Sequence, residues 1–298
     1  MARLHDASHM IHTPALIKKK DGFKMKFFPA KCLLIVIIFV LTIPAGYGKD
    51  QRPLPPGFGP GDLKVLFIGS SYFNYNDLPG LFTSLTKSDS EKVYVDFSII
   101  NAVFLDYHAE SPVTIEKIKQ YAWDAIVLQG ICTNAAFPDT HPYIFPPYKH
   151  HELVPAIKTL RKIIRKNHEQ TRIIYAMPWA FKDGTTWLKG YDDSYEDMQQ
   201  KIYKNILKMS KKQKFTISPV GWAWRAVIND RPDIELFMPD MSHPTPEGSY
   251  LMACVVYVTV FGESVRDNPF YGNLSAETAV YLQTTAAKTV LDSLQLWN

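Results

Sequence analysis

The sequence predicts an α/β protein, a three-layer α/β/α sandwich around a parallel sheet. Short β-rich runs alternate with segments of helical periodicity along the chain. Several of these runs are apolar at nearly every position, as is typical of parallel strands buried on both faces. Hydrophobic residues make up 46% of the 298 residues, which is enough for a sizeable core and one main domain.

Five strands are predicted, with helix candidates between them. The strand candidates are Val65–Ile68, Val93–Ile100, Ala125–Leu128, Arg172–Ala176 and Phe215–Ser218. The helix candidates are 78–87, 113–121, 151–167 and 195–212, and two more are predicted near 246–261 and 275–296. In the third of these, apolar residues recur at helical spacing while Lys and Arg fill the other face. The irregular stretch 130–149 is expected to be a functional or mobile loop.

The first 48 residues have the pattern of an export signal. Lysines precede the apolar run 32–43, and small residues follow it up to Gly48. We expect a signal peptide over 1–48, an extended Pro/Gly-rich linker over 49–63 and the folded domain over 64–298. The protein is then secreted or periplasmic, with no stable membrane span after cleavage. The alternative is an uncleaved anchor helix, although the run is short of the ~20 residues that a span needs.

The formal charge of +4 comes from this leader, since 26 basic and 27 acidic residues follow Gly48. A body that is nearly neutral lacks the electrostatic footprint of a nucleic-acid-binding protein. Two cysteines remain in the body, and they permit one disulfide without requiring it. Of these, Cys254 lies in an apolar helical pattern and is expected to be a buried small hydrophobe.

Two serines follow the first predicted strand, in the segment Gly69-Ser70-Ser71. Ligands bind at the carboxyl ends of the strands in a doubly wound sheet. Glycine permits a tight exit, and a Ser at the start of the next helix can present its hydroxyl there beside backbone N–H groups. The alternative is that the Ser serves only as an N-cap.

A second polar segment, Asp240-Met241-Ser242-His243-Pro244, precedes the last helix candidates. A serine nucleophile needs a base to take its proton, and that imidazole needs a carboxylate to fix its tautomer. An Asp three residues before a His in a proline-bounded turn can supply both. The alternative is a solvated loop histidine.

Together the two segments resemble the SGNH/GDSL hydrolases. Gly69-Ser70-Ser71 matches the Gly-Asp-Ser block of that family, with Ser71 in the nucleophile position, and Asp240 to Pro244 matches its Asp-x-x-His-Pro block. The resemblance covers most of residues 64–262. It implies a flavodoxin-like fold and ester hydrolysis by Ser71, His243 and Asp240, without a metal or other cofactor.

The middle blocks depart from the family pattern. Ala102 stands in the stretch where the family has an oxyanion-hole glycine, and it can still donate its backbone N–H. Gln129 follows the third strand in place of the family's Asn, as in a subgroup with Leu-Gln at this position. The expected oxyanion hole therefore consists of the N–H groups of Ser71 and Ala102 with the Gln129 amide.

Four residues at predicted strand exits are expected to contact substrate: Asn101, His108, Trp179 and Trp222. An exposed tryptophan there would stack on a sugar ring, whereas the alternative is core packing. For His108 the alternative is a structural hydrogen bond. The histidines share no metal-ligand spacing, so no metal site is expected. Cys132 as a nucleophile would need a base of its own.

The expected function is a secreted serine esterase that removes acyl groups, acetyl among them, from a small-molecule or carbohydrate ester. One alternative is a catalytically weak or inactive protein that holds a glycan in the same cleft. Another is a different acyl chemistry at the same site, such as lipase, thioesterase or acyl transfer.

Overall fold

The computed structural model describes residues 53–88, 92–137, 152–186 and 194–298, all within one compact unit that spans Gly48–Asn298. The predicted export segment 1–48 and residues 138–149 of the predicted loop lie outside the described residues. None of the described helices is long and apolar enough to cross a membrane.

Five parallel strands form one sheet in the order β2-β1-β3-β4-β5. They are β1 Leu63–Gly69, β2 Val93–Ile99, β3 Ala125–Gln129, β4 Arg172–Ala176 and β5 Thr216–Ser218. All five predicted strands are confirmed within one or two residues. Because every pairing is parallel, the carboxyl ends of the five strands lie at one edge of the sheet, here called the carboxyl edge.

Helices cover both faces of this sheet, which confirms the predicted three-layer sandwich. The described helices are α1 Ser71–Asn74, α2 Leu78–Leu85, α3 Leu105–Glu110, α4 Pro112–Gln120, α5 Cys132–Ala136, α6 Leu153–Asn167, α7 Tyr195–Gln213, α8 Val220–Asp230, α9 Pro246–Phe261, α10 Ala276–Leu291 and α11 Leu294–Trp297. Helices α2, α8, α9 and α10 pack in the core on one face of the sheet, and α3 to α7 pack on the other. Helix α9 is buried almost all round, as its mostly apolar sequence requires.

Several helices differ from the predictions. The predicted helix over 275–296 is interrupted after Leu291, where α10 ends and the separate turn α11 follows. Helix α8 is absent from the predicted elements, although its buried residues Val220, Ala223, Trp224 and Val227 have helical spacing. Within the described part of the predicted linker 49–63, the Phe58 ring packs edge-on against Tyr94 with centroids 5.2 Å apart, and Leu63 is the first residue of β1. The folded body therefore begins a few residues before β1.

Candidate active site

Ser71 lies at the carboxyl edge, as the first residue of α1 directly after β1. A Cβ atom on Gly69 would lie 2.8 Å from the Phe73 ring and 2.9 Å from Gln129 Oε1, so this exit has room only for glycine. The N-cap residue is Ser70, and its side chain makes no capping hydrogen bond. The hydroxyl of Ser71 faces the loop that precedes α9.

That loop is closed on itself. The backbone N–H of Met238 donates to His243 O at 2.8 Å, and Phe237 forms an isolated β-bridge with Pro244. Met241 adopts a left-handed backbone with φ of 60°, which allows the tight turn. The loop, residues 238–243, is called the Asp-His loop below.

Ser71, His243 and Asp240 form a continuous hydrogen-bonded chain. Ser71 Oγ lies 2.9 Å from His243 Nε2, and His243 Nδ1 lies 2.6 Å from Asp240 Oδ2. A carboxylate only accepts hydrogen bonds, so Nδ1 carries the proton. In the neutral ring Nε2 is then free to accept the Ser71 proton. The structure thus brings together the three residues that were predicted to form a triad.

The second carboxylate oxygen of Asp240 holds the loop in shape. Asp240 Oδ1 accepts the backbone N–H groups of Ser242 at 3.0 Å and His243 at 2.9 Å. Burial of the Asp240 carboxyl raises its pKa, but the hydrogen bonds from the His243 ring and from these two N–H groups outweigh that effect and hold the pKa below its usual value. Asp240 is therefore an anion at neutral pH.

Two aromatic side chains hold the Asp-His loop in place by hydrogen bonds to Ser242. Tyr72 Oη lies 2.8 Å from Ser242 Oγ, and Trp179 Nε1 donates to Ser242 O at 2.9 Å. The Tyr72 and Trp179 rings stack with centroids 4.7 Å apart, and Trp179 stacks in turn on Trp224 at 3.8 Å. Since Tyr72 directly follows Ser71, this stack joins the turn that carries Ser71 to the Asp-His loop.

A further connection runs through Asn76. Its Nδ2 donates to Pro244 O at 3.1 Å and to Ser249 Oγ at 2.9 Å, and Ser249 Oγ donates to Tyr75 O at 3.3 Å. The backbone of Asn76 is left-handed, with φ of 55°, which Asn tolerates better than most residues. This bridge ties the end of α1 to the Asp-His loop and to the first turn of α9.

The imidazole of His243 lies between two tyrosine rings. The Tyr75 ring stacks on it at a centroid distance of 4.2 Å and an interplanar angle of 13°, while Tyr72 meets it edge-on at 5.5 Å. An aromatic face attracts a cation, so the stack favours the imidazolium that forms when His243 takes a proton. Tyr75 and Asn76 were not among the predicted site residues, although they lie only four and five residues after Ser71.

Ala102 adopts the backbone conformation that favours glycine, with φ of 58°. This explains how Ala can stand where the family has its oxyanion-hole glycine. Among the described residues, neither the N–H of Ala102 nor that of Ser71 donates a hydrogen bond. Both groups are therefore available as donors to a bound ligand. Asn101 and Ala102 are exposed, so Asn101 stays a candidate for substrate contact.

The Gln129 side chain is buried and turned toward Ser70. Its Oε1 accepts the Ser70 N–H at 3.0 Å and the Ser70 hydroxyl at 3.2 Å, and its Nε2 donates to Gly130 O at 2.7 Å. The structure therefore does not present the Gln129 amide as an oxyanion donor, contrary to expectation. Gln129 instead braces the turn that carries Ser71, because the Ser70 N–H requires an acceptor at this place.

His108 is buried and lies behind the site. Its Nε2 donates to Gly69 O at 3.0 Å, so its Nδ1 accepts from Thr114 Oγ1 at 2.9 Å. Burial lowers the pKa of His108, so the ring is neutral. The expectation of a substrate contact is wrong here, and the alternative, a structural hydrogen bond, is correct.

The two tryptophans expected at the substrate are occupied elsewhere. Trp179 is fully buried in the stack described above, so no face is left for a sugar. Trp222 stacks on Tyr203 at 4.3 Å with the Arg225 guanidinium over its ring. Trp222 thus contacts α7 and not the triad. Both expectations are corrected, because core packing decides the position of each indole.

Neither cysteine in the described part of the chain is bonded to the other, and both are buried. Cys254 lies in the core of α9, as expected. Cys132 Sγ lies 3.6 Å from Tyr72 Oη, and burial raises the pKa of its thiol to about 12. A buried neutral thiol is a poor nucleophile. The described residues also contain no cluster of three or more His, Cys, Asp or Glu that could hold a metal ion.

A recess with a volume of about 470 Å³ lies against the Asp-His loop. Its lining residues are Lys182, Asp183, Glu235, Phe237, Met238, Pro239 and Met241. The backbone N–H of Lys182 donates to Met241 O at 3.0 Å, which joins the segment after β4 to this loop. The sequence analysis assigned no role to these residues.

The sequence matches neither a protein-family model nor a curated protein. The structure is similar to that of a DUF4886 family protein from Bacteroides uniformis, with a TM-score of 0.62 and 17% sequence identity. The match covers 77% of this chain and 95% of that protein. It is also similar to a proposed SGNH hydrolase from Slackia heliotrinireducens, with a TM-score of 0.53 and 20% sequence identity. That match covers 66% of this chain and 98% of the other protein.

A third similar structure is a catalytic mutant of an acetylxylan esterase from Geobacillus stearothermophilus. Its TM-score is 0.50, at 14% identity, with 67% of this chain and 94% of that one covered. At these identities the likeness is one of fold. The chain has the three-layer α/β/α fold of the SGNH-type hydrolases.

Proposed function

We propose that this protein is a serine esterase with Ser71 as nucleophile, His243 as general base and Asp240 as the carboxylate that orients it. The observation that carries the proposal is the hydrogen-bonded chain from Ser71 Oγ to Asp240, with distances of 2.9 and 2.6 Å. A serine that is only an N-cap needs no imidazole on its hydroxyl, and a solvated histidine needs no tyrosine ring stacked on its imidazole. The fold shared with SGNH-type hydrolases supports the same reading.

In the proposed mechanism His243 Nε2 takes the Ser71 proton as Oγ attacks the ester carbonyl. The Nδ1 proton stays on the ring and is held by the Asp240 carboxylate, which stabilises the imidazolium. The backbone N–H groups of Ser71 and Ala102 donate to the oxyanion of the tetrahedral intermediate. His243 then returns the proton to the leaving alkoxide. In the second half-reaction His243 takes a proton from water as the water attacks the acyl-enzyme, and it returns that proton to Ser71 Oγ as the acid is released.

For the substrate we propose an acyl group, acetyl among the candidates, carried by a carbohydrate. Export of the protein, expected from residues 1–48, would place it where polysaccharide esters occur. A structural neighbour is an acetylxylan esterase. Trp179 is buried and Trp222 stacks on Tyr203, so neither indole supports sugar stacking. The carbohydrate part of the proposal therefore rests on the expected export and on this structural neighbour. The exposed Asn101 and the recess beside the Asp-His loop are the surfaces for substrate selection.

The nucleophile is tested by labelling with a fluorophosphonate probe and by hydrolysis of p-nitrophenyl acetate. We expect wild type to be labelled on Ser71 and to hydrolyse the ester, and Ser71→Ala to lose both. The matched control is Ser70→Ala, one residue earlier, whose hydroxyl bonds Gln129 and not His243. Ser70→Ala should still be labelled. Equal hydrolysis by wild type and Ser71→Ala would overturn the assignment.

The substrate class is tested separately with acetylated xylo-oligosaccharides and with p-nitrophenyl esters of increasing chain length. Release of acetate from the oligosaccharide by wild type, and none by Ser71→Ala, would support a carbohydrate esterase. Cleavage of long-chain esters alone would favour a lipase. Glycan binding without probe labelling would favour the non-catalytic alternative.

A further inference from the structure

Helices α6 and α7 carry much of the positive charge of the folded body. Of the 26 Lys and Arg residues after Gly48, eleven lie on or directly after these two helices. Two of the 27 acidic residues, Glu196 and Asp197, lie in the first turn of α7, so the rest of the body has 15 basic against 25 acidic residues. No Asp or Glu occurs at 153–168 or 198–229. The body is nearly neutral in sum, but its charge is strongly polarised.

The two helices pack on the same face of the sheet and contact each other. Each presents a row of exposed lysines at a spacing of four residues, which places them on one side of the helix. These six residues are called the lysine face: Lys158, Lys162 and Lys166 on α6, with Lys204, Lys208 and Lys212 on α7.

Helix stability does not explain these rows. Like charges four residues apart destabilise a helix. The helix dipole favours cations in the last turn, as at Lys166 and Lys212, but not in the middle, as at Lys158 and Lys204. Within the described part of the chain, none of the six lysines forms an ion pair. The lysines of each row therefore repel one another in the isolated protein, and a partner of opposite charge would offset that repulsion.

The composition of the face indicates what kind of partner fits. The exposed cations of α6 and α7 are all lysines, and the two arginines of α6, Arg161 and Arg165, are only half-exposed. Lysines act as point charges, whereas Arg is the residue of bidentate phosphate or carboxylate recognition. None of the large hydrophobic side chains exposed on the described residues lies on α6 or α7. These features suit a broad, diffuse negative surface better than a shaped protein interface or a sequence-specific polymer.

We propose that the lysine face adsorbs electrostatically to an anionic lipid bilayer. The crossover helices run antiparallel to the strands, so the carboxyl-terminal halves of α6 and α7 lie toward the edge of the sheet opposite Ser71. Adsorption by this face leaves the carboxyl edge open to substrate. The inference is independent of the proposed esterase function, since no residue of the lysine face belongs to the candidate active site.

The test is cosedimentation of the full chain with vesicles of phosphatidylcholine alone and with about 30% phosphatidylglycerol. The quadruple variant Lys162→Gln, Lys166→Gln, Lys204→Gln, Lys208→Gln removes four charges from the face. A matched control makes the same change at four exposed lysines elsewhere, Lys87, Lys92, Lys119 and Lys288. Gln has nearly the helix propensity of Lys, so both variants should fold.

We expect the anionic vesicles to bind wild type and the control at about 20 mM salt, and to release both at about 300 mM. The quadruple variant should partition at least about tenfold more weakly. Equal losses in the two variants, or equal binding to neutral and anionic vesicles, would overturn the proposal. Binding to heparin without binding to anionic vesicles would also overturn it and assign the face to a soluble polyanion.

Discussion

Replacing Asp240 with Asn tests the proposed mechanism most directly, because the structure dictates how the new amide must sit. Asp240 Oδ1 accepts two backbone N–H groups, so in Asp240→Asn the amide oxygen has to stay there. The amide NH₂ then faces His243 Nδ1 at the place of Oδ2. It donates to Nδ1, and the ring proton moves to Nε2, opposite Ser71 Oγ. His243 in this tautomer has no lone pair for the serine proton.

The magnitude separates this tautomer effect from a simple loss of charge. The Asp240 side chain is 47% exposed, so its ion pair with the imidazolium is well solvated. Exposed pairs contribute about 0–1 kcal/mol, which is less than tenfold in rate. The wrong tautomer costs about 10⁴-fold in kcat when the same exchange is made in a Ser-His-Asp triad, which corresponds to ~5.5 kcal/mol.

The assay is kcat for p-nitrophenyl acetate in wild type, Asp240→Asn and Ser71→Ala, together with Tm. We expect kcat to fall about 10⁴-fold in Asp240→Asn. The Tm should change little, because the two loop N–H groups keep their acceptor. Residues of one triad are not additive, so the double variant should be no slower than Ser71→Ala. A kcat within tenfold of wild type in a folded Asp240→Asn would refute the triad.

Three further outcomes are expected. Tyr75→Leu, which removes the ring stacked on His243, should lower kcat by about three- to tenfold at unchanged KM, and Tyr75→Phe should restore it. A rise in KM at unchanged kcat would contradict the positioning role. Asn76→Ala loses the hydrogen bonds to Pro244 O and Ser249 Oγ and should reduce the free energy of unfolding in urea by about 1–3 kcal/mol. An unchanged value would show that this bridge does not stabilise the fold. The hydrogen bonds from Arg225 lower the pKa of Glu196, so the stabilisation that they provide is complete above the usual value of 4.5 and is lost as pH falls through the lowered pKa. In Glu196→Gln the free energy of unfolding should therefore fall less between pH 7 and about 3 than in wild type.

The hydrogen-bonded chain of Ser71, His243 and Asp240 was predictable because two short motifs, each local in sequence, together resemble blocks of the SGNH/GDSL hydrolases. A short motif carries both Asp240 and His243, and the rule that ligands bind at the carboxyl ends of parallel strands places Ser71 at the same edge. The five strands were predictable for a similar reason, since strands buried on both faces are apolar at nearly every position. These inferences use only neighbours along the chain and the topology of the sheet.

The side chains that depend on packing were not predictable in this way. Trp179 and Trp222 follow strand exits, but three-dimensional contacts decide whether an indole faces a cleft or a core. Gln129 has the amide that an oxyanion hole can use, but its Oε1 accepts a hydrogen bond from the buried N–H of Ser70, and this bond turns the side chain toward Ser70. Which of several buried donors and acceptors pair with one another depends on their three-dimensional contacts, and these cannot be read from the sequence.

Ala102 departs from the family pattern but is compatible with the proposed oxyanion hole. The family resemblance implies a glycine in this stretch, and Ala102 departs from it while keeping a backbone N–H. The structure gives Ala102 a φ of 58°, so the backbone keeps the glycine conformation at a cost of about 1–2 kcal/mol. The donor is an N–H group, and its direction depends on the backbone alone.

This reasoning predicts a graded response at one position. Ala102→Gly relieves the strain but adds freedom to the unfolded chain, so the free energy of unfolding should change by less than about 1 kcal/mol and kcat by less than about threefold. Ala102→Val places a β-branched residue at positive φ, which is a genuine outlier. The backbone must rotate away, the donor is lost, and kcat should fall by about 10²- to 10³-fold. If Ala102→Val folds and keeps its kcat, the Ala102 N–H does not hold the oxyanion, and the departure from glycine is a real loss.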